Sequence, residues 1–296
     1  MSIIERAVHR IHQADSVQPG RDPLPRPVAD PAPAPAPMPL PRAPGNPSIG
    51  PIAEIDLAEL KNAGMITPDA ERSQLSEEFR IIKRPLLNNA FRRGAAAISN
   101  ANLVMVTSAL PGEGKTFAAI NLAMSIAQER DQTVLLVDGD VARTSGPGIL
   151  GLPATFGLLD LLIDERLAFR DVLVRTNVEK LSLLQAGRPH PHATELLASE
   201  AMSLLLDEMA RRYVDRLIIF DAPPLLVTTE AAVLAQRMGQ VVLVIEAGRT
   251  PQAAVKEALT QLEKCNVFML LNKGSGAPSE NPFAYGAYGG YGRTRA

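Results

Sequence analysis

Five short runs of apolar residues, rich in valine, leucine and isoleucine, constrain the fold of this chain more than any other feature. They are residues 103–107, 133–137, 217–220, 241–245 and 267–271. Continuous rather than alternating apolarity predicts strands that are buried on both faces. Helical patterns of ten or more residues separate most of the runs. The sequence therefore predicts a doubly wound α/β fold, with a mainly parallel sheet between two layers of helices.

Composition divides the 296 residues into four parts. Residues 1–16 carry apolar side chains at intervals of three and four and predict an amphipathic helix, with a frayed terminus as the alternative. The proline-rich residues 17–51 predict a disordered, extended linker. Residues 52–274 hold the apolar runs and predict the folded domain, including a helical pattern over 68–92 that Pro85 is expected to interrupt. The glycine- and tyrosine-rich residues 275–296 predict a flexible tail.

Charge and apolarity exclude several classes of partner. The formal net charge is -2, so no basic field predicts binding to nucleic acid. No uncharged run approaches the ~20 apolar residues of a membrane-spanning helix. The single cysteine, Cys265, fits a reducing compartment. We therefore expect a cytoplasmic protein, which leaves room for a partner to recruit it to the inner face of the membrane.

A phosphate-binding loop follows the first apolar run directly. The sequence from Ser108 is Ser-Ala-Leu-Pro-Gly-Glu-Gly-Lys-Thr, and a helical pattern comes next. Ala109 replaces the first glycine of the usual P-loop. Glycines allow backbone amides to surround phosphate oxygens at the N-terminus of the following helix. The predicted nucleotide contacts are Pro111, Gly112, Glu113, Gly114, Lys115 and Thr116, with Asn272 at the end of the last run as a further one.

Acidic residues follow two other apolar runs. Asp138 and Asp140 come after residues 133–137, and Asp221 comes after residues 217–220. Open α/β sheets bind ligands at the carboxyl ends of their strands, so these carboxylates are expected beside the loop. Carboxylate oxygens suit Mg²⁺, which makes Asp138, Asp140 and Asp221 candidate metal ligands with Thr116. The alternative for any one of them is a helix cap or a turn.

Taken together, the motifs resemble those of the bacterial tyrosine kinases (BY-kinases) that control export of capsule and exopolysaccharide. The matching segments are Ser108-x-x-Pro-Gly-Glu-Gly-Lys-Thr116, Leu136-Val-Asp-Gly-Asp140, Ile218-Ile-Phe-Asp-Ala-Pro-Pro224, Gly157-Leu-Leu-Asp-Leu-Leu162 and Ala186-Gly187. The resemblance implies a P-loop NTPase with deviant Walker motifs, in the MinD/ParA-like superfamily. It also implies a kinase that uses ATP and Mg²⁺.

The resemblance assigns roles to individual residues. It implies that Lys115 and Thr116 bind the phosphates and the metal, and that Asp221 supports Mg²⁺. Asp138 would help to deprotonate the incoming tyrosine, with Asp140 assisting at the metal. A base is useful because a phenol with a pKa of about 10 is mostly protonated at neutral pH.

The acceptor and the oligomer are implied in the same way. Tyr285, Tyr288 and Tyr291 occupy the glycine-rich tail, where BY-kinases carry their phosphorylated tyrosine cluster. An aromatic low-complexity tail is the alternative. Glu77, Arg80 and Lys83 follow the family's oligomerisation pattern, with lysine in place of its last arginine, and predict a charged seam in a homo-oligomer such as a ring. A solvated helix face is the alternative.

The opening Ser2-Ile-Ile-Glu-Arg-Ala and the long linker resemble the stand-alone tyrosine autokinases of exosortase-associated exopolysaccharide systems. That resemblance implies activation by a separate membrane chain-length-determinant protein. Two other functions share the fold: a MinD/ParA-like positioning ATPase and a nucleotide-binding scaffold of a polysaccharide-export complex. The positioning ATPases carry an extra lysine early in the loop, and Leu110 stands at that position here.

Overall fold

A computed structural model describes residues 52–69, 73–91, 98–141, 149–153 and 155–274, which lie in one compact unit. The expected N-terminal helix, the linker and the tail fall outside these ranges. The described helices are α1 Leu57–Asn62, α2 Gln74–Ala90, α3 Lys115–Ala127, α4 Leu158–Ile163, α5 Phe169–Val172, α6 Ala193–Leu197, α7 Glu200–Arg212, α8 Thr229–Ala235 and α9 Gln252–Gln261. The strands are β1 Leu103–Ser108, β2 Thr133–Asp138, β3 Val174–Arg175, β4 Leu181–Leu184, β5 Arg216–Asp221, β6 Gln240–Glu246 and β7 Val267–Asn272.

The strands form one seven-stranded sheet in the order β3-β4-β2-β5-β1-β6-β7. Every neighbouring pair is parallel except β3 with β4. The predicted doubly wound α/β fold is confirmed, and all five apolar runs are strands. The sequence analysis missed β3 and β4, because two and four residues are too short to show a period.

Successive residues of the central strands point into two separate cores. Met105 and Phe220 belong to one core, with side chains of α4, α7, α8 and α9. Val104 and Ile219 belong to the other, with side chains of α1, α2 and α3. Side chains alternate between the two faces of a strand, so a helical layer on each face requires apolar residues at every position.

The edge strand β7 departs from this pattern. Phe268 and Leu270 pack against the core shared with α3, whereas Met269 and Leu271 are 64% and 70% exposed. The expectation of burial on both faces is therefore wrong for most of β7. On the face opposite Phe268 and Leu270, only Val267 packs against a core within the described chain. Within the described ranges, none of the helices is long and apolar enough to cross a membrane.

Helix α2 runs through Pro85 without the interruption expected from the sequence. Proline has no N–H, so the carbonyl of Ile81 loses its helical partner. Ile81 and Pro85 are both exposed, and water can satisfy that carbonyl. The helix begins with a capping box between Ser73 and Ser76.

The structure corrects the expectation for Lys83. Glu77 and Arg80 are exposed and form a pair at 2.8 Å. Lys83 is 3% exposed, and its ammonium lies 2.9 Å from Glu129 Oε1 and donates to the Ser125 carbonyl at 2.5 Å. Six residues along a helix turn the side-chain direction by about 120°, which moves Lys83 from the Glu77 face towards α3. Lys83 thus fastens α2 to the end of α3 instead of joining a surface seam.

Replacing Lys83 by Met should lower the free energy of unfolding by about 1–3 kcal/mol, because Glu129 and the Ser125 carbonyl lose their donor. The hydrogen bond from Lys83 lowers the pKa of Glu129. The stabilisation is therefore present above the ordinary pKa of glutamate and disappears as the pH falls through the lowered value. Urea unfolding at neutral and acidic pH measures both effects.

Arg80→Met is the matched control, since Arg80 forms an exposed pair with Glu77 and acts on Glu129 only through its charge, without contact; the free energy of unfolding should fall by about 0.5 kcal/mol or less. An equal decrease in the free energy of unfolding in the two variants would contradict the assigned role of Lys83.

Candidate active site

The loop between β1 and α3 has the backbone of a phosphate cradle. Gly112 and Gly114 adopt φ of 84° and 94°, the left-handed region in which glycine is favoured. Gly114 is the N-cap of α3, and Lys115 is the first residue of the helix. The N–H groups in the first turn of a helix have no helical acceptor and attract anions. The predicted contacts from Pro111 to Thr116 all lie in this loop and first turn.

Glu113 uses its side chain to shape the loop. The residue is 3% exposed, and its Oε2 accepts the Leu110 N–H at 2.7 Å. Its Oε1 accepts a hydrogen bond from the Thr250 hydroxyl. With both carboxylate oxygens engaged inside the protein, Glu113 offers a ligand its backbone N–H.

Lys115 lies between two carboxylates at the head of α3. Its Nζ is 2.5 Å from Asp140 Oδ2 and 3.9 Å from Asp221 Oδ1. The three side chains are only 9%, 13% and 2% exposed, so little water screens these charges. An ammonium has three donors, and Lys115 can keep Asp140 while donating to a phosphate oxygen.

Thr116 and Asp221 meet directly across the end of the sheet. The Thr116 hydroxyl donates to Asp221 Oδ2 at 2.7 Å. Asp221 is 1% exposed, and among the described residues its Oδ1 has no hydrogen-bond partner, although Lys115 lies 3.9 Å away. A buried carboxylate oxygen without a hydrogen bond is costly, and a cation beside it would remove that cost.

Strand pairing places Asp138 and Asp140 beside Asp221. Asp138 at the end of β2 stands opposite Asp221 at the end of β5. Asp138 Oδ1 accepts the Asp140 N–H at 3.3 Å, and the Gly139 N–H donates to the Asp221 carbonyl at 2.8 Å. The structure thus gathers all three predicted carboxylates around the loop, and their roles in catalysis remain predictions.

The charges at this site favour a bound cation. The pKa of Asp221 is raised to about 6, chiefly by burial; Lys115 and Thr116 oppose the rise, and the nearby carboxylates Asp138 and Asp140 add to it. Ionising a carboxylate as buried as that of Asp221 is costly, and a cation beside it would offset that cost. The site therefore gains from a cation whenever Asp221 is ionised.

The donor set fits Mg²⁺. Thr116 offers a hydroxyl oxygen, and Asp138, Asp140 and Asp221 offer carboxylate oxygens. Among the residues that the structure describes, no group of three or more His, Cys, Asp or Glu side chains is arranged to hold a metal. Mg²⁺ does not need such a cage, because it usually takes one or two carboxylates together with phosphate oxygens and water.

Asn272 lies against the loop, and its contact with nucleotide remains a prediction. Its Nδ2 donates to the Glu113 carbonyl at 2.9 Å. The neighbouring Lys273 donates to the Gly112 carbonyl of the loop, and the β6 residue Glu246 accepts from Lys273. The sequence analysis identified neither residue. The sequence did contain a signal for this region, because Glu246 and Asn272 end parallel strands, and the carboxyl ends of those strands lie at the same end of the sheet as Asp138 and Asp221.

The two segments after β2 that entered the family resemblance also come together. Asp160, at the start of α4, accepts the Gly157 N–H at 2.9 Å and the Arg188 Nε–H at 2.6 Å. Strand β4, which leads to Arg188, pairs with β2 up to Leu184 opposite Val137. These loops therefore flank the edge that carries Asp138. Glu77 and Arg80 lie on α2, and the tail tyrosines fall outside the described residues.

Comparisons of the sequence with known proteins show which proteins this chain is similar to. A family model described as an AAA domain matches residues 101–267. The tyrosine-protein kinase YwqD of Bacillus subtilis is 32% identical over 239 residues, which cover 79% of this chain and 97% of that protein. The putative tyrosine-protein kinase CapB of Staphylococcus aureus is 32% identical over 196 residues, which cover 66% of this chain and 82% of that protein.

Solved structures are also similar to this chain. The kinase domain of VpsO is 31% identical with a TM-score of 0.52, covering 68% of this chain and 98% of that one. The chimerical protein CapA2B2 is 26% identical with a TM-score of 0.56, covering 72% of this chain and 97% of that one.

The raised pKa of Asp221 predicts that this carboxylate destabilises the fold when no cation is bound. An acid whose pKa is raised on folding contributes stability below its unfolded pKa, and that contribution is lost as the pH rises towards about 6. Asp221→Asn, which keeps an acceptor for Thr116, should raise the free energy of unfolding in EDTA by about 1–3 kcal/mol at pH ~8.

Thermal or urea unfolding of both proteins in EDTA, from acidic to basic pH, measures this effect. The advantage of Asp221→Asn should grow as the pH rises and shrink when Mg²⁺ and nucleotide are added. An advantage that did not change with pH would show that Asp221 is not strained by its charge.

Proposed function

The chain belongs to the bacterial tyrosine-protein kinases, and on this premise we propose that it transfers the γ-phosphoryl group of ATP to tyrosines in its own C-terminal tail. The observation that carries the proposal is the cluster of Lys115, Thr116, Asp140 and Asp221 beside the phosphate loop. Lys115 contacts Asp140 and Asp221 at 2.5 and 3.9 Å, and Thr116 contacts Asp221 at 2.7 Å. Phosphoryl transfer depends mainly on positioning and charge neutralisation, and this cluster supplies both.

Each group has a defined task in this reaction. The loop N–H groups and Lys115 bind the β- and γ-phosphates of ATP. Thr116 and Asp221 would hold Mg²⁺, with Asp138 and Asp140 contributing directly or through water. Mg²⁺ bound there would neutralise the charge that develops on the phosphate oxygens.

The transfer step forms one bond and breaks one. The tyrosine hydroxyl oxygen bonds to the γ-phosphorus while the bond from that phosphorus to the β,γ-bridging oxygen breaks, and ADP leaves. The phenolic proton passes to Asp138, whose carboxylate lies at the open end of β2. Asp140 holds Lys115, at 2.5 Å, in place for the phosphates.

The proposed acceptors are Tyr285, Tyr288 and Tyr291. The fourth tyrosine, Tyr213, lies within the described residues and is packed against Phe169 with ring centroids 5.3 Å apart. Burial raises the pKa of its hydroxyl. A packed tyrosine at the end of α7 is poorly placed to enter an active site, so the tail is the better acceptor.

The setting is proposed from the family resemblance. We propose a homo-oligomer, with the exposed Glu77 and Arg80 available to a neighbouring subunit, in the cytoplasm and recruited to the membrane by a chain-length-determinant partner. Its role would be to regulate exopolysaccharide polymerisation and export, as in the stand-alone exosortase-associated autokinases. The positioning-ATPase alternative gains no support from Leu110, which packs against the core and carries no charge across a dimer.

Lys115→Met should reduce tail phosphorylation by at least a hundredfold, because the phosphates lose their only lysine in the loop. Incubation with labelled ATP and Mg²⁺, followed by intact-mass measurement, reads the result. Circular dichroism should show an unchanged fold. Phosphotyrosine at the wild-type level would refute the role of Lys115, and release of phosphate without phosphotyrosine in the wild type would favour the ATPase alternative.

Replacing Tyr285, Tyr288 and Tyr291 together by Phe should remove most phosphotyrosine while leaving ATP binding intact. Tyr213→Phe is the control and should leave the phosphotyrosine content unchanged. Peptide mapping after ATP treatment distinguishes the sites. Signal that persisted on Tyr213 in the triple variant would overturn the tail assignment.

A further inference from the structure

We propose that Lys273 is a positioning residue for the phosphate loop, acting with Asn272 to turn the loop's backbone N–H groups towards the phosphates. Lys273 Nζ donates to the Gly112 carbonyl at 2.7 Å, and Asn272 Nδ2 donates to the Glu113 carbonyl at 2.9 Å. Two consecutive residues at the end of β7 thus hold two consecutive carbonyls of the loop. This inference deepens the proposed function, because it concerns how the same site binds nucleotide.

The geometry of the peptide bond links these contacts to phosphate binding. In a planar trans peptide the C=O and the following N–H point in opposite directions. The Gly112 carbonyl shares its peptide with the Glu113 N–H, and the Glu113 carbonyl shares its peptide with the Gly114 N–H. Fixing both carbonyls towards β7 therefore turns both N–H groups to the opposite side of the loop. These are the donors that a phosphate cradle requires.

A second residue, Glu246, holds the ammonium of Lys273 in place. Its Nζ lies 3.1 Å from Glu246 Oε2, and the hydrogen bond from Lys273 lowers the pKa of Glu246. The Glu246 N–H donates to the Thr250 hydroxyl at 3.0 Å, and that hydroxyl donates to Glu113. The contacts form a closed circuit from the loop through Lys273, Glu246 and Thr250 back to the loop.

Backbone conformation and close packing also mark this position. Lys273 adopts φ of 57°, a left-handed conformation that costs a residue with a side chain about 1–2 kcal/mol. That turn brings the lysine back over the loop at the end of the edge strand. A Cβ added to Gly114 would lie 2.1 Å from Asn272 Nδ2, so the loop and β7 leave no space for a side chain there.

The closing experiment compares Lys273→Met with Lys256→Met, which removes an exposed lysine from α9. The full-length chain is used, and calorimetry measures the affinity for ADP and for pyrophosphate in the presence of Mg²⁺. Lys273→Met should weaken both about tenfold, because a hydrogen bond from a charged donor is lost. Lys256→Met should bind as the wild type does, and Lys273→Arg should recover most of the affinity.

Pyrophosphate has neither base nor sugar, so its weaker binding would place the effect at the phosphate loop. In kinase assays the KM for ATP should rise more than kcat falls, since the loop contacts the ground state and the transition state alike. The loss should persist at high salt, where attraction between distant charges is screened. A loss that vanished at high salt, or equal losses in Lys273→Met and Lys256→Met, would overturn the proposal.

Glu246→Gln is a second test that leaves Lys273 in place. It should weaken ADP binding by a smaller factor, and an unchanged affinity in both Glu246→Gln and Lys273→Met would also overturn the proposal. These binding measurements do not depend on phosphotyrosine. If the wild type made no phosphotyrosine but Lys273→Met still bound ADP less tightly, the proposed kinase reaction would fail while the role of Lys273 stood.

Discussion

The parallel pairing of β1, β2 and β5 is the constraint on which the active site depends. In this register Asp138 stands opposite Asp221, and Asp221 stands opposite Val106, two residues before the end of β1. The carboxyl ends of these strands therefore emerge at one edge, where the loop after β1 also turns into α3. Two apolar cores cover both faces of the sheet, so this edge is where charged groups can gather at the least cost.

Bringing these charged groups together lowers the stability of the protein when no ligand is bound, but it is useful for catalysis. Lys115 is the one cation drawn into the described contacts with Asp140 and Asp221, and burial raises the pKa of Asp221 to about 6. Charges held in a site with little water act more strongly on a ligand than the same charges in solution. The kinase is therefore less stable than it would be without these buried charges, and in return it has a pre-formed site that binds phosphates and favours a metal ion.

Contacts with other elements hold both the phosphate loop and the far end of α3 in place. On one face of the sheet, Lys83 joins α2 to the end of α3 through Ser125 and Glu129. At the edge, Lys273 and Asn272 hold the loop that precedes α3. The helix that carries Lys115 and Thr116 is therefore anchored at both ends. Phosphoryl transfer requires such rigidity, because small displacements of the phosphates are expensive in rate.

Much of the fold and the composition of the site followed from the sequence alone, because apolar runs and a glycine-rich loop are local patterns with one physical reading. Local pattern predicted the five long strands, the loop from Pro111 to Thr116 and the acidic residues at strand ends. Tertiary structure alone decided what depends on neighbours distant in the chain. Within the described residues it turned Lys83 inward to Glu129, left Met269 and Leu271 of β7 exposed, and brought Lys273 onto the Gly112 carbonyl, 161 residues away. A side chain's spacing shows which element it belongs to, but the packing of other elements decides which partner it meets.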